Sequence, residues 1–239
     1  MKVAVCFSGK TYPDSGKLVQ LMKKRFPTYD FYYGTWEGCD SPFPDQTMYF
    51  PEPEIPYHPY LDIDLEEFSW TRLKMIREKA IRKGGTPEAW AKNFPMMNKA
   101  QHQTKQIIAH SYMLDNIPEG YDVIIRARWD LHYYDEFLPL ENFVEESYNM
   151  NKAIGFSRKL SHGNHAWWSA KGTHRNDWWE GFLMDLLIIH PPSLFNKELM
   201  WELHNTKRLV AAEFGWYQVL SVNDNHDCYF SRMGMTSRD

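Results

Sequence analysis

Cysteine is scarce in this chain: three occur in 239 residues, at positions 6, 39 and 228. Their scatter matches neither a disulfide framework nor a zinc-ligand spacing, which argues against a small disulfide-stapled scaffold and against a zinc finger. Long apolar runs are lacking too. The longest candidate, from Gly181 to Ile189, is too short to span a bilayer and carries Asp185. Only five apolar residues separate Lys2 from Ser8, so a secretory signal is not expected. Internal repeats and low-complexity tracts are absent as well. These absences lead to the expectation of a cytoplasmic protein with reduced thiols and no transmembrane segment.

Two nucleotide and metal signatures also fail. Ser8, Gly9, Lys10 and Thr11 invite a phosphate-loop reading, but that motif needs a glycine at position 4, where Ala4 stands. Gly16 and Lys17 are followed by Leu18 rather than Ser or Thr. His162, His165, His174 and Asp177 lack the spacing of a zinc protease and any cysteine partner, so a polar loop is the expectation there.

What is present is an ordinary globular composition, 43% hydrophobic and 24% charged, with an unusual 16% of aromatics including ten Trp. The net charge of −4 hides an asymmetry. Residues 70–105 hold nine Lys/Arg, among them Lys74 and Arg77, against Glu78 and Glu88. One positive segment on an otherwise acidic chain suits a polyanionic ligand, though a solvated helix face reads the same way.

Periodicity predicts a buried strand over Lys2–Phe7, a helix over Ser15–Phe26 and a strand over Tyr29–Gly34, stopped by the glycine. This β–α–β opening argues for a parallel sheet flanked by helices. Residues 40–60 carry six prolines and predict a long loop. A basic amphipathic helix follows over 66–83, then a helix over Asn98–Leu114, a short strand over 153–157, and helices over Trp178–Ile189, Lys197–Leu203 and Val210–Leu220. The whole is expected as one catalytic domain over 1–239, with the proline-rich loop and the basic segment (about 66–105) as an insertion.

The most informative stretch runs from Tyr121 to His132. Three β-branched apolar residues, Val123, Ile124 and Ile125, lead into Arg126, Arg128 and Asp130, and period two puts Ile124 with these charges on one face and Val123, Ile125, Ala127 and Trp129 on the other. A buried strand that becomes charged only at its C-terminal end delivers those charges to the rim where open α/β sheets bind ligands. Arginine forks suit phosphate oxygens and a carboxylate suits a divalent metal, whereas an internal Arg–Asp pair closing the strand is the bland alternative.

Val3–Gly9, Phe31–Trp36 and above all Tyr121–Leu131 resemble a nucleotide-sugar-dependent glycosyltransferase of the GT-A type, in particular small bacterial and phage enzymes. The resemblance implies a GT-A-like (Rossmann-like) mixed, mostly parallel sheet and a hexosyl- or pentosyltransferase dependent on Mn²⁺ or Mg²⁺. It assigns donor binding to Ser8, Gly9, Lys10, Thr35, Trp36, Arg126 and Arg128. Asp130 would be the metal carboxylate, with His132 and His226 as further candidate ligands; Asp130-Leu131-His132 departs from the family's DxD pattern. Glu213 and Asp185, each read as flanked by apolar helical sequence, are the candidate catalytic carboxylates. Trp167, Trp168, Lys74 and Arg77 are candidate acceptor contacts.

The acceptor is expected to be a cell-surface glycan or glycolipid. The phage-like resemblance keeps 5-hydroxymethylcytosine in DNA as an alternative, with modification in a host cytoplasm. A rival of another class is a non-catalytic nucleic-acid-binding protein using residues 70–105.

Overall fold

The computed structural model describes residues 1–11, 15–55, 103–132, 139–158, 173–175, 183, 185–206, 209, 212–220, 226–231 and 234–235. Strand β1 (Val3–Ser8) is buried along its whole length, as its unbroken apolar sequence demands. It pairs in parallel with β2 (Asp30–Trp36) on one side and with β4 (Val123–Ala127) on the other. Beyond β2 lies β3 (Thr47–Phe50), also parallel. Beyond β4 comes β8 (Leu187–His190), antiparallel to β4 and to β6 (Ala153–Arg158). Strand β9 (His226–Ser231) runs parallel to β6, and β7 (Thr173–Arg175) closes the edge antiparallel to β9. The eight-stranded order is β3-β2-β1-β4-β8-β6-β9-β7, and a separate antiparallel pair joins β5 (Leu131–His132) to β10 (Gly234–Met235). Only β8 and β7 oppose the other six strands of the large sheet, so the architecture is α/β with a mixed, mostly parallel sheet, compatible with a Rossmann-like fold.

Helices cover both faces. On one, Val19 and Met22 of α1 (Ser15–Arg25) and Leu140 and Val144 of α3 (Leu140–Met150) pack on Val5, Phe7, Val123, Ile125, Ala127 and Trp129. On the other lie α2 (Lys105–Asn116), α4 (Lys197–Asn205) and α5 (Ala212–Leu220). Here Ala109 and Met113 meet Ala4, Cys6 and Ile124, while Ile107, Ile108, Met200 and Trp216 meet Ile188. The period-two division of residues 123–129 is therefore the division between the two cores. No helix among the described residues is long and apolar enough to cross a membrane.

Four expectations change. Strand β2 does not stop at Gly34 but passes through it; a Cβ there would sit 2.3 Å from Met113 Sδ, so the glycine admits α2 onto the sheet. The proline-rich segment contains β3, because Pro44 and Pro51 flank rather than interrupt a strand-forming run. Residues 187–189, expected as the end of a helix over Trp178–Ile189, belong with His190 to β8: a short apolar run with two isoleucines, buried on both faces, has no helical stripe to show. The strand at 121–132 is regular only over 123–127, and Arg128 to Asp130 turn out of it before β5. The basic segment, apart from 103–105, lies outside the described residues.

Candidate active site

The parallel half of the sheet reverses its order between β1 and β4, since the chain travels from β1 outward to β2 and β3 and returns on the other side as β4. At such a switch point the loops leaving the two strands diverge and leave a crevice at their C-terminal ends. A cleft of about 380 Å³ occupies this position. Ser8, Gly9 and Lys10 line it from the end of β1, Trp36 from the end of β2, and Arg126, Arg128, Trp129 and Asp130 from the end of β4. Gly9 has φ of +103°, a turn that a side chain would strain, and so brings the backbone around the cleft's edge.

Arg126 is fully buried. It pairs laterally with Cys6 of β1 and Ile188 of β8, and its guanidinium lies over the Trp216 ring of α5 at 5.2 Å. One nitrogen, Nη1, donates to the main-chain carbonyl of Asp185 and Nη2 donates to Gln106 Oε1. Nε has no partner. Burial pushes its pKa down to about 9; Asp185 and Asp130 oppose that shift and neighbouring Arg128 adds to it. It remains a cation at neutral pH, held in a dry place with carboxylates nearby but none bonded to it among the described residues. An interior charge so placed is costly unless an anion joins it.

Arg128 forks onto Asp130, Nε to Oδ1 at 2.8 Å and Nη2 to Oδ2 at 2.6 Å, while its Nη1 stands 3.5 Å from Asp185 Oδ2. Asp130 is 1% exposed yet lines the cleft. The bland alternative, an Arg–Asp pair closing a strand end, is thus present, and it sits at the cavity mouth rather than away from it. Asp185 reaches this point because β8 is antiparallel: Leu187 pairs with Ala127, so the residues entering β8 lie beside those leaving β4. It is bridged to Phe156 in an extended segment, not carried on a helix. Gln106 Nε2 donates to its Oδ2 at 2.9 Å, and no partner engages its Oδ1 among the described residues.

The cleft's charged lining is Lys10, Lys105, Arg126 and Arg128 against Glu52 and Asp130, an excess of cations. Lys105 already binds Glu52 at 2.7 Å. Ser8, 2% exposed, also has a hydroxyl with no partner. Two orphaned donors on one cationic cleft fit an anionic, oxygen-rich ligand, since buried polar groups are otherwise almost always satisfied.

A divalent ion fits this lining in kind but not in number. Asp130 offers hard oxygens, yet both already receive Arg128, and no group of three potential ligands occurs among the described residues. His132 is placed in β5 but its side chain lies outside the described residues. His226 begins β9 beside Ala153, level with Ile124 through the register of β6 and β8, so the sheet separates it from the C-terminal end of β4. The structure does not bring it to Asp130; its ring packs on Tyr217. Thr35 is buried beside Trp36 and does not line the cleft. Glu213 belongs to α5 one turn before Trp216, with its side chain outside the described residues, as are Lys74, Arg77, Trp167 and Trp168.

Sequence reasoning missed Cys39, Glu52, Gln103, Lys105 and Gln106 on the cleft wall. For the two glutamines a signal existed: they sit three apart at the polar start of α2, Gln103 just before the N-cap Thr104 and Gln106 in the first turn, ahead of the apolar Ile107-Ile108-Ala109, where one face must look at something other than core. Glu52 gave none.

A second buried polar group lies on the same face of the sheet. His110 of α2 and His190 of β8, both fully buried, meet Nε2 to Nε2 at 2.9 Å. His190 Nδ1 must donate to the Pro191 carbonyl at 2.8 Å, because a carbonyl only accepts. Its Nε2 is then bare and accepts from His110, so both rings are neutral. Burial drives His110 well below its usual pKa, with His190 and Arg126 adding to the shift. Burial likewise lowers His190 to about 4, against the opposing bond to Pro191.

Compared with protein-family models and with curated proteins, the chain matches none.

Proposed function

We propose that the chain is a glycosyltransferase of the GT-A type, moving a sugar from a nucleotide-sugar donor to an acceptor hydroxyl on a glycan or glycolipid. One observation carries this reading: a buried arginine with no carboxylate bonded to it among the described residues and a second arginine held beside a buried aspartate meet at the switch-point cleft of a mostly parallel sheet. The mixed sheet flanked by helices accords with it.

The chemistry follows from charge. As the bond between the anomeric carbon and the diphosphate oxygen breaks, its electron pair leaves with the nucleoside diphosphate. Arg126, Arg128 and Lys10 stand where that developing charge is stabilised, in a site drier than water. The acceptor oxygen forms the new bond to the anomeric carbon and gives up its proton. Asp185, behind Gln106 and Arg128 and with one carboxylate oxygen unengaged among the described residues, is the group assigned to receive it. A Mn²⁺ or Mg²⁺ ion would find Asp130 with both its oxygens already bound by Arg128, and no group of three potential ligands among the described residues, so the leaving charge is assigned to the arginines and Lys10 and no step is routed through a metal.

The test is turnover with a panel of sugar nucleotides, with and without Mn²⁺, following release of the nucleoside diphosphate. Wild type is expected to hydrolyse or transfer from at least one donor, and Asp185→Asn to lose about a hundredfold in kcat with the donor KM little changed. No turnover with any donor would remove the proposal, and unaltered kcat in the variant would remove the role given to Asp185.

A further inference from the structure

Gln106 joins two groups that would otherwise join each other. Its Oε1 accepts from Arg126 and its Nε2 donates to Asp185 Oδ2 at 2.9 Å. A guanidinium can only donate and an ionised carboxylate can only accept, so the amide cannot flip without turning both contacts repulsive. No other common side chain of this length serves: glutamate would repel Asp185, and lysine would repel Arg126. The helix fixes its origin, because α2 is seated on the sheet through Met113 against Gly34 and on α5 through Ile107 against Gly215.

We infer that Gln106 is a positioning residue that insulates the Asp185 carboxylate from the buried Arg126 cation, aiming each at a different part of the reaction; this rests on the glycosyltransferase reading. Arg126 reaches Asp185 only through the main-chain carbonyl. With its second nitrogen held by Gln106, the guanidinium stays beside the cleft, where its orphaned Nε leaves capacity for an anion. The carboxylate keeps Oδ1 for a proton. Without the amide, Arg126 would close on Asp185 as a direct ion pair. A carboxylate in direct contact with a guanidinium loses basicity, and the guanidinium loses its reach toward the ligand. Base and anion site would be lost together by collapsing onto one another.

The experiment compares wild type, Gln106→Leu and Gln106→Glu in two arms: the pH profile of kcat for donor turnover, and calorimetric titration with inorganic pyrophosphate. For Gln106→Leu, kcat falls about tenfold and its acidic limb moves to lower pH by about one unit, as the weakened base of a direct ion pair requires. In Gln106→Glu the added carboxylate drives the limb the other way. A merely structural role would not move the two limbs in opposite directions. If Gln106→Leu does not fold, the upward shift in Gln106→Glu decides alone, and an unmoved limb overturns the inference. If wild type binds pyrophosphate but turns over no donor, the glycosyltransferase reading falls, and the binding arm decides: a loss of about fivefold or more in Gln106→Leu keeps it as the anchor of Arg126, and unchanged affinity removes it. Wild type that binds neither donor nor pyrophosphate overturns both.

Discussion

Two polar clusters are buried on the same face of one sheet, and they are built to opposite ends. Arg126, Arg128, Asp130 and Gln106 line the switch-point cleft, with Asp185 bonded behind Gln106 and Arg128; the group is charged and incompletely satisfied among the described residues. His110 and His190 lie deeper, against Phe195 and Trp216, neutral and bonded to each other, and neither lines the cleft. The histidines have a consistent proton assignment that needs no third party, apart from His110 Nδ1. The arginine cluster has one orphaned donor, Arg126 Nε, and the Ser8 hydroxyl is another, both on residues that line the cleft. Buried polarity alone is therefore a poor sign of function; buried polarity with unspent donors facing a cavity is a better one.

The sharpest way to break this contrast is to remove charge from the first cluster. Arg126→Met is expected to weaken pyrophosphate binding by about 2–5 kcal/mol, measured by calorimetry, because the anion loses its most desolvated cation. Its folding stability should hold or rise, since an apolar replacement relieves an interior charge. A variant that unfolds while binding persists would reverse the assignment of the two clusters.

Next in size, His190→Ala should lose about 1–3 kcal/mol in urea unfolding, because His110 is left with a buried N–H and no acceptor. Pyrophosphate affinity should stay at the wild-type value. The pair also sets an acid limit. Both folded pKa values lie below the ordinary 6.5, so between pH 6.5 and about 4 the unfolded chain binds protons that the folded chain refuses. Stability is full above pH 6.5 and falls below it, by up to about 1.4 kcal/mol per pH unit for each histidine. Unfolding curves from pH 7.5 to 4.5 for wild type and the double variant His110→Gln with His190→Gln check this; the variant should show the shallower decline.

Smallest of all is the rim. Lys105 and Glu52 form a pair that is 17% and 51% exposed, so Glu52→Gln should change stability by less than about 1 kcal/mol, with pyrophosphate affinity rising slightly as a competing carboxylate disappears. A large loss of binding would mean that Glu52 contacts the ligand.

The same contrast shows what the amino-acid sequence could reveal. Strand β1, helix α1 and the alternation across residues 123–129 were legible because a single local period dictates each one. Strand β8 was not, because its four buried residues look alike on both faces, and α3 over Leu140–Met150 passed unread among its acidic and aromatic residues. The strand-end rule located Arg126, Arg128 and Asp130 at one rim, and the resemblance added Ser8, Gly9, Lys10 and Trp36, which line the same cleft, and Thr35, which does not. Gln106 and Asp185 reach that rim by tertiary routes: one from the first turn of a helix across the sheet, the other because an antiparallel strand begins where a parallel one ends. Local periodicity does not carry such information, and the His110–His190 pair, eighty residues apart, shares that invisibility.

Under the function proposed above, the cleft between β1 and β4 receives the diphosphate of a nucleotide sugar. Differential scanning calorimetry of wild type and Arg126→Met with a panel of sugar nucleotides tests it most directly, since a ligand bound only by the folded state raises Tm by mass action. The account predicts that at least one donor raises Tm of wild type by several degrees and leaves the variant unmoved. An equal rise in both, or no rise in wild type with any donor, would contradict it.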